Sequence, residues 1–190
     1  MSDYKNLMRS ISGRSFLILD TETTGLHDGE IVQIAIINQQ ADVLLNTYVK
    51  PARPIPIDAQ RIHGISDETV ASAPTWPQLV DHVRSIIQGQ LLIVYNAVYD
   101  RRMMHQSGEY HGLEKVEWKN VATWFCAMEA YAEHYGDWNA YRQSYRWQKL
   151  SNAAAQCGVN VANAHDALGD CLMTLGVVRA MEKSYWESVK

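Results

Sequence analysis

Apolar residues are gathered into short unbroken runs in the first half of the chain and into helix-spaced sets in the second. Residues 15–20 (SFLILD) end in an acid and precede the turn-prone pair Thr24 and Gly25, which predicts a buried strand. Residues 31–37 (IVQIAII) and 43–49 (VLLNTYV) predict two more, and three successive strands with short connections predict an antiparallel meander. Pro51, Pro54 and Pro56 cannot donate to a ladder, so pairing stops there and a loop follows. Beyond Pro77, residues Leu79, Val80, Val83, Ile86 and Ile87 recur at helical spacing until Gly89 supplies a stop. Residues 91–95 (LLIVY) predict a fourth strand that runs straight into a helix over 97–106, with Asn96 as its N-cap. A fifth strand over 121–125, a helix over 127–134 and a last helix over about 166–183 complete the pattern. No internal repeat or linker interrupts it, so the expectation is one α/β domain with a mixed sheet over 15–183, between an N-terminal extension (1–14) and a tail (184–190).

A chain of 190 residues is about one domain, and it buries enough surface to hold a core without staples. Cys126, Cys157 and Cys171 are odd in number and form no C-x-x-C pair, against a disulfide framework or a zinc knuckle. The polar N-terminus lacks the apolar run of a secretory signal, and no uncharged stretch nears the ~20 residues that span a bilayer. The expectation is a cytoplasmic protein with no membrane partner. A formal net charge of −4 excludes nucleic-acid binding through a generally basic surface and leaves room for a local basic patch.

Asp20 and Glu22 stand two apart at the end of the first strand, so their side chains share a face. Carboxylates side by side repel, and the pairing makes chemical sense when a hard cation such as Mg²⁺ lies between them. The plainer reading is a pair of solvated acids, because D-x-E alone is common. Asp100 falls in the first turn of the helix after the fourth strand, where a negative charge is also favourable in itself. Asp170 lies one turn into the last helix, five residues after His165. Five helical residues turn through about 500°, which would point the two roughly 140° apart, so His165 belongs on the loop leading in. Asp166, four before Asp170, would share its helix face, and spacing alone selects that pair as ligands; its plain alternative is a helix cap.

Residues 19–26 (LDTETTGL), 95–100 (YNAVYD) and 165–170 (HDALGD) together resemble the three motifs of the DEDDh family of 3′-to-5′ exonucleases, a resemblance reaching from residue 16 to about 181. It implies a ribonuclease H-like fold, a central mixed five-stranded sheet flanked by helices. It also implies two Mg²⁺ or Mn²⁺ ions held by Asp20, Glu22, Asp100 and Asp170, with His165 as general base. It assigns Asp166 to a variable position, against the spacing argument, and the resemblance is followed here. A sister branch carries tyrosine four residues before the last aspartate, where this chain has Asp166. Residues 61–66 (RIHGIS) are similar to a segment that family members place beside the terminal nucleotide. Tyr95 and Tyr99 stand where many members have His and Phe, departures that bear on substrate preference and not on ligands.

Phosphodiester hydrolysis loads charge onto the attacking and leaving oxygens, and two metal ions stabilise both. A loop histidine can take the proton of the attacking water near neutral pH. His27, His82, His105, His111 and His134 are read as surface or core residues. The four motif acids equal the whole formal charge of −4, so bound divalent ions turn a phosphate-repelling patch into an attracting one. Leu26 and Ile65 are candidates to wedge against the terminal base, with core packing as the alternative, and Thr23, His63 and Asn96 are further substrate-contact candidates. Residues 137–149 (DWNAYRQSYRWQK) have the composition of a stacking surface for single strands. Trp138, Tyr141 and Tyr145 fall at helical spacing, however, which favours a packed stripe with Arg142 and Arg146 turned out towards phosphates.

The expected activity is release of nucleoside 5′-monophosphates from 3′ ends, with single-stranded DNA as substrate and RNA 3′-end trimming as the alternative. An aspartyl-phosphate phosphatase using Asp20 would leave His165 and Asp170 unexplained, and a noncatalytic nucleic-acid-binding module would leave all five positions so. The partner is single-stranded or 3′-end nucleic acid. Several relatives dimerise, so a homodimer is allowed for.

Overall fold

The computed structural model describes residues 3–160 and 165–189. Strands β1 (Leu17–Thr23), β2 (Ile31–Asn38) and β3 (Val43–Tyr48) form the expected antiparallel meander. Strands β4 (Leu91–Val94) and β5 (Thr123–Cys126) join it in parallel, giving one five-stranded mixed sheet in the order β3-β2-β1-β4-β5. Ligand crevices in open α/β sheets form outside the carboxyl ends of adjacent parallel strands whose connections diverge. Here those strands are β1 and β4.

Both faces of the sheet are covered because its central strands are apolar on both sides. One face packs Ile18, Ala35, Ile37 and Ile93 against helices α1 (Asp3–Ile11), α7 (Ala127–Tyr135), α8 (Leu150–Gln156) and α9 (Ala167–Ser188). The other packs Leu17, Leu19, Ile34, Ile36 and Leu92 against α4 (Trp76–Ile87), α5 (Ala97–Tyr110) and α6 (Trp118–Val121). A small satellite core of Val32, Ile55, Ala59, Ile65 and Val70 lies under α2 (Ile57–His63) and α3 (Asp67–Val70). These two short helices occupy the stretch expected to be loop. Gly64, at φ 73°, ends α2 in the left-handed cap that glycine adopts without strain.

Several local expectations are corrected. Residues 3–11, for which no element is predicted, form α1, because Leu7, Met8 and Ile11 share a helix face that is buried against α7 and α9. The fifth strand starts at Thr123, since residues 118–121 instead form α6 with Trp118 buried. Asn96 stands at the N-cap of α5, yet its side chain makes no capping bond and is exposed at a cleft. Residues 137–149 are not a helical stripe. They hold a hairpin of β6 (Trp138–Asn139) and β7 (Ser144–Tyr145) with Trp138, Tyr141 and Tyr145 exposed. Gly136 closes α7 in a left-handed cap, and the Asn139 side chain then accepts the Tyr141 and Arg142 N–H groups, a turn that competes with helix.

Candidate active site

Asp20 and Glu22 both lie in β1 on the face that also carries Ile18, which follows from strand alternation. A register shift between Glu22 and Thr23 breaks the β1–β2 ladder at this point, a bulge of the kind that re-aims side chains beside active sites. Asp100 enters from the first turn of α5 and is buried, with the Thr21 hydroxyl donating to its Oδ1 at 2.8 Å. Asp170 comes from the first turn of α9 and accepts the backbone N–H of His165 at 3.3 Å. His165 sits ahead of that helix at φ 66°, on a loop as the angular argument requires, and is exposed. Ligand atoms of Glu22, His165 and Asp170 lie within 4.8 Å of one another.

Asp166 is the N-cap of α9. Its carboxylate accepts the Gly169 N–H at 3.2 Å and the Gln33 amide at 2.6 Å, and Gln33 also accepts the Ala167 N–H at 3.2 Å. Gln33 is buried on β2 directly across from Glu22, so one side chain fixes the start of α9 beside the strand that bears the acids. It was readable only as the polar residue inside an apolar run.

Burial, and then the charges of Asp100, Asp170 and Glu22, hold the Asp20 carboxyl well above its ordinary range. Burial and then Asp170 and Asp100 push Glu22 up to about 8. Burial lifts Asp100 to about 7 against the opposing Thr21 hydrogen bond, and burial also raises Asp170 against the His165 N–H. Among the described residues no lysine or arginine forms an ion pair with any of the four. Clustered, partly desolvated carboxylates with no cationic partner are the donor set of a hard divalent cation, and all-oxygen ligation with one imidazole nearby suits Mg²⁺ or Mn²⁺. The residues therefore fit the expected metal ions.

A cleft of about 630 Å³ opens beside Glu22 and His165, lined also by Leu26, Ile62, His63 and Asn96, with Thr23 on its wall. Leu26 is 71% exposed within it. Ile65 is 3% exposed in the satellite core and does not line the cleft, against the wedge expected of it, whereas Ile62, three residues earlier on α2, is 60% exposed and does. Arg142 and Arg146 lie outside the cleft lining. His63 accepts the Ile65 N–H on Nδ1 at 3.0 Å, an arrangement that puts the ring proton on Nε2, and burial lowers its pKa. The Thr23 hydroxyl meets the Tyr99 hydroxyl at 2.5 Å.

The loop carrying Leu26 is held by one stripe of α5. Tyr99 donates to the Gly25 carbonyl (3.2 Å), Arg102 to that of Leu26 (2.7 Å), Gln106 to that of His27 (3.0 Å), and Tyr110 to the Asp28 carboxylate. Gly29 closes the loop where a Cβ would strike the Gly25 carbonyl, at 2.2 Å.

An exonuclease family profile matches residues 17–178. The chain belongs to this exonuclease family. The exonuclease is 44% identical over 172 residues to the uncharacterized exonuclease CP81 of Escherichia phage 186, covering 88% of each chain. It is 38% identical over 96 residues to the DNA polymerase III subunit epsilon of Rickettsia felis, 47% of this chain and 42% of that subunit, so it spans less than half of that relative. Exonuclease X, solved in complex with 5′ overhanging duplex DNA, superposes with a TM-score of 0.67 at 26% identity over 90% of this chain and 93% of that one. The ribonuclease H-like fold and the hydrolytic 3′-to-5′ exonuclease activity expected from the three motifs both hold. Among the described residues no helix is long and apolar enough to cross a membrane.

Proposed function

We propose that this exonuclease releases nucleoside 5′-monophosphates from the 3′ ends of single-stranded DNA. The convergence of Asp20, Glu22, Asp100 and Asp170 beside a cleft lined by Glu22 and His165, with no ion pair to a lysine or arginine among the described residues, carries the reading. Two Mg²⁺ or Mn²⁺ ions held by those four carboxylates would supply charge stabilisation to the attacking and leaving oxygens. His165, exposed on its loop, takes the proton of the attacking water as the new P–O bond forms and the bond from phosphorus to the 3′ oxygen of the preceding nucleotide breaks. The 3′ oxygen leaves with a proton from solvent. Leu26 and Ile62 offer apolar contact to the terminal base and sugar, while the Asn96 amide supplies a polar contact beside them and the His63 ring lines the wall. Thr23, tied to Tyr99, shapes the wall between.

The test is a time course with a 5′-labelled single-stranded DNA and an RNA of the same sequence, each with Mg²⁺ and with EDTA. Stepwise shortening from the 3′ end with Mg²⁺, faster for DNA and abolished by EDTA, is expected. Robust shortening after exhaustive EDTA treatment would overturn the metal mechanism, and faster loss of the RNA would overturn the substrate assignment.

A further inference from the structure

The hairpin β6–β7 presents an aromatic surface that the fold does not use. Tyr141 is 96% exposed, Trp147 66% and Trp138 52%. A tyrosine so exposed buries nothing on folding, and a cluster of such rings beside polar residues marks an interaction site. The frame beneath them is fixed. Trp138 packs edge-on against Tyr145 across the two strands at 5.1 Å, and the Arg146 N–H donates to the Asp137 carbonyl at 2.9 Å. At the tip, Asn139 accepts two backbone N–H groups at 3.1 Å each, and Gln143 takes a left-handed φ of 51°. A backbone fixed in this way loses little freedom when the rings it carries bind.

Charge says what they bind. Residues 137–149 carry Arg142, Arg146 and Lys149 against one acid, Asp137, in a chain whose formal net charge is −4. The Arg146–Asp137 pair spans 4.0 Å between exposed side chains, too loose to occupy the guanidinium. The arm is also rooted at the active site. The Tyr95 hydroxyl donates to the Gln148 carbonyl at 3.0 Å, and Tyr95 directly precedes Asn96 of the cleft wall. Lys149 then leads into α8, which packs on α9, the helix that carries Asp170.

We infer that the hairpin is a second contact surface for a single-stranded substrate, stacking bases on Tyr141 and Trp147 while Arg142 and Arg146 meet phosphates upstream of the cleaved end. The inference rests on the proposed nucleic-acid substrate. Base stacking on aromatic side chains with arginine on the backbone is the sequence-tolerant mode of single-strand binding. On this inference the hairpin meets nucleotides upstream of those in the cleft, so a longer strand engages both surfaces and a trinucleotide the cleft alone.

The experiment compares kcat and KM on a trinucleotide and on an oligonucleotide of about 12 residues, and follows binding of the longer strand in EDTA by quenching of tryptophan fluorescence. Tyr141→Ala with Trp147→Ala is expected to raise KM for the longer strand about 5-fold or more while the trinucleotide KM and the melting temperature hold. Arg142→Gln with Arg146→Gln is expected to flatten the salt dependence of log Kd by about 1.4. Trp147→Phe should remove part of the quenching. An unchanged ratio of long to short KM overturns the inference, as does a change in sedimentation of the free protein without one in KM, which would mark a self-association surface. If the wild-type protein hydrolysed neither substrate, the catalytic reading would fail while the quenching titration still decided the arm.

Discussion

Replacing Glu22 by Gln should stabilise the metal-free protein while abolishing its activity. In the folded protein Glu22 is pushed from 4.5 up to about 8 by burial and by Asp170 and Asp100. A carboxyl raised on folding binds its proton more tightly in the native state, so stability is highest below pH 4.5 and falls as pH rises towards 8. At pH 7 nearly 2.5 units of that interval are traversed, which at 1.36 kcal/mol per unit amounts to about 3 kcal/mol as an upper figure. Glutamine keeps the shape and removes the charge, so the variant should melt about 6–12 °C higher at pH 7 in EDTA, at 2–4 °C per kcal/mol for a chain of this size. Thermal unfolding by circular dichroism from pH 5 to 9 reads this directly. In EDTA the wild-type melting temperature should fall across the range and the variant's should fall less. Mg²⁺ should raise the wild type at pH 8 by binding the native state, and the variant less. A wild-type melting temperature that is flat or rising from pH 5 to 8 in EDTA, or a variant no more stable than wild type at pH 8, would refute the account of the cluster as mutually repelling ligands.

His165→Ala should lower single-turnover hydrolysis by ~10² to 10⁴-fold with little change in oligonucleotide Kd, and a wild-type rate would move the base elsewhere. Asp166→Ala removes the cap of α9 and should reduce stability by about 0.5–2 kcal/mol in a denaturant titration. Its Mg²⁺ dependence should stay at the wild-type concentration, whereas a ligand would shift it. Ile65→Ala should destabilise by about 2–5 kcal/mol without altering KM per folded molecule, while Ile62→Ala, exposed in the cleft, should raise KM and leave the melting temperature in place.

Strands β1, β2 and β4 were legible because fully buried strands read as unbroken apolar runs, and the site acids interrupt or follow the runs of β1 and β4. The position of His165 followed from helix geometry alone. Helix α1 was hidden by its polar face, and α2 and α3 by their brevity among prolines. The choice between Ile62 and Ile65 could not be made from spacing, since which of two residues three apart on or after a seven-residue helix faces the satellite core depends on where that helix docks. The hairpin misled for a related reason. Aromatics at 138, 141 and 145 satisfy a helical period, but the turn made by Asn139 overrides it, and among the described residues no partner element covers them.

Helix α5 grips the loop over 25–28 mostly through its main chain, since Tyr99, Arg102 and Gln106 each bind a carbonyl oxygen and, of these four α5 residues, Tyr110 alone reaches a side chain, that of Asp28, which Arg53 also pairs with. Carbonyls are the same whatever residue carries them. The loop's contribution to the cleft is therefore separable from its anchoring. Leu26 could be exchanged for a larger ring or a polar group, and the grip of α5 would persist. Adding or removing one residue is a different matter, because it would slide every carbonyl past its donor at once. The design tolerates substitution and forbids change of length, so new end preferences can be sought by varying the residue at position 26 alone.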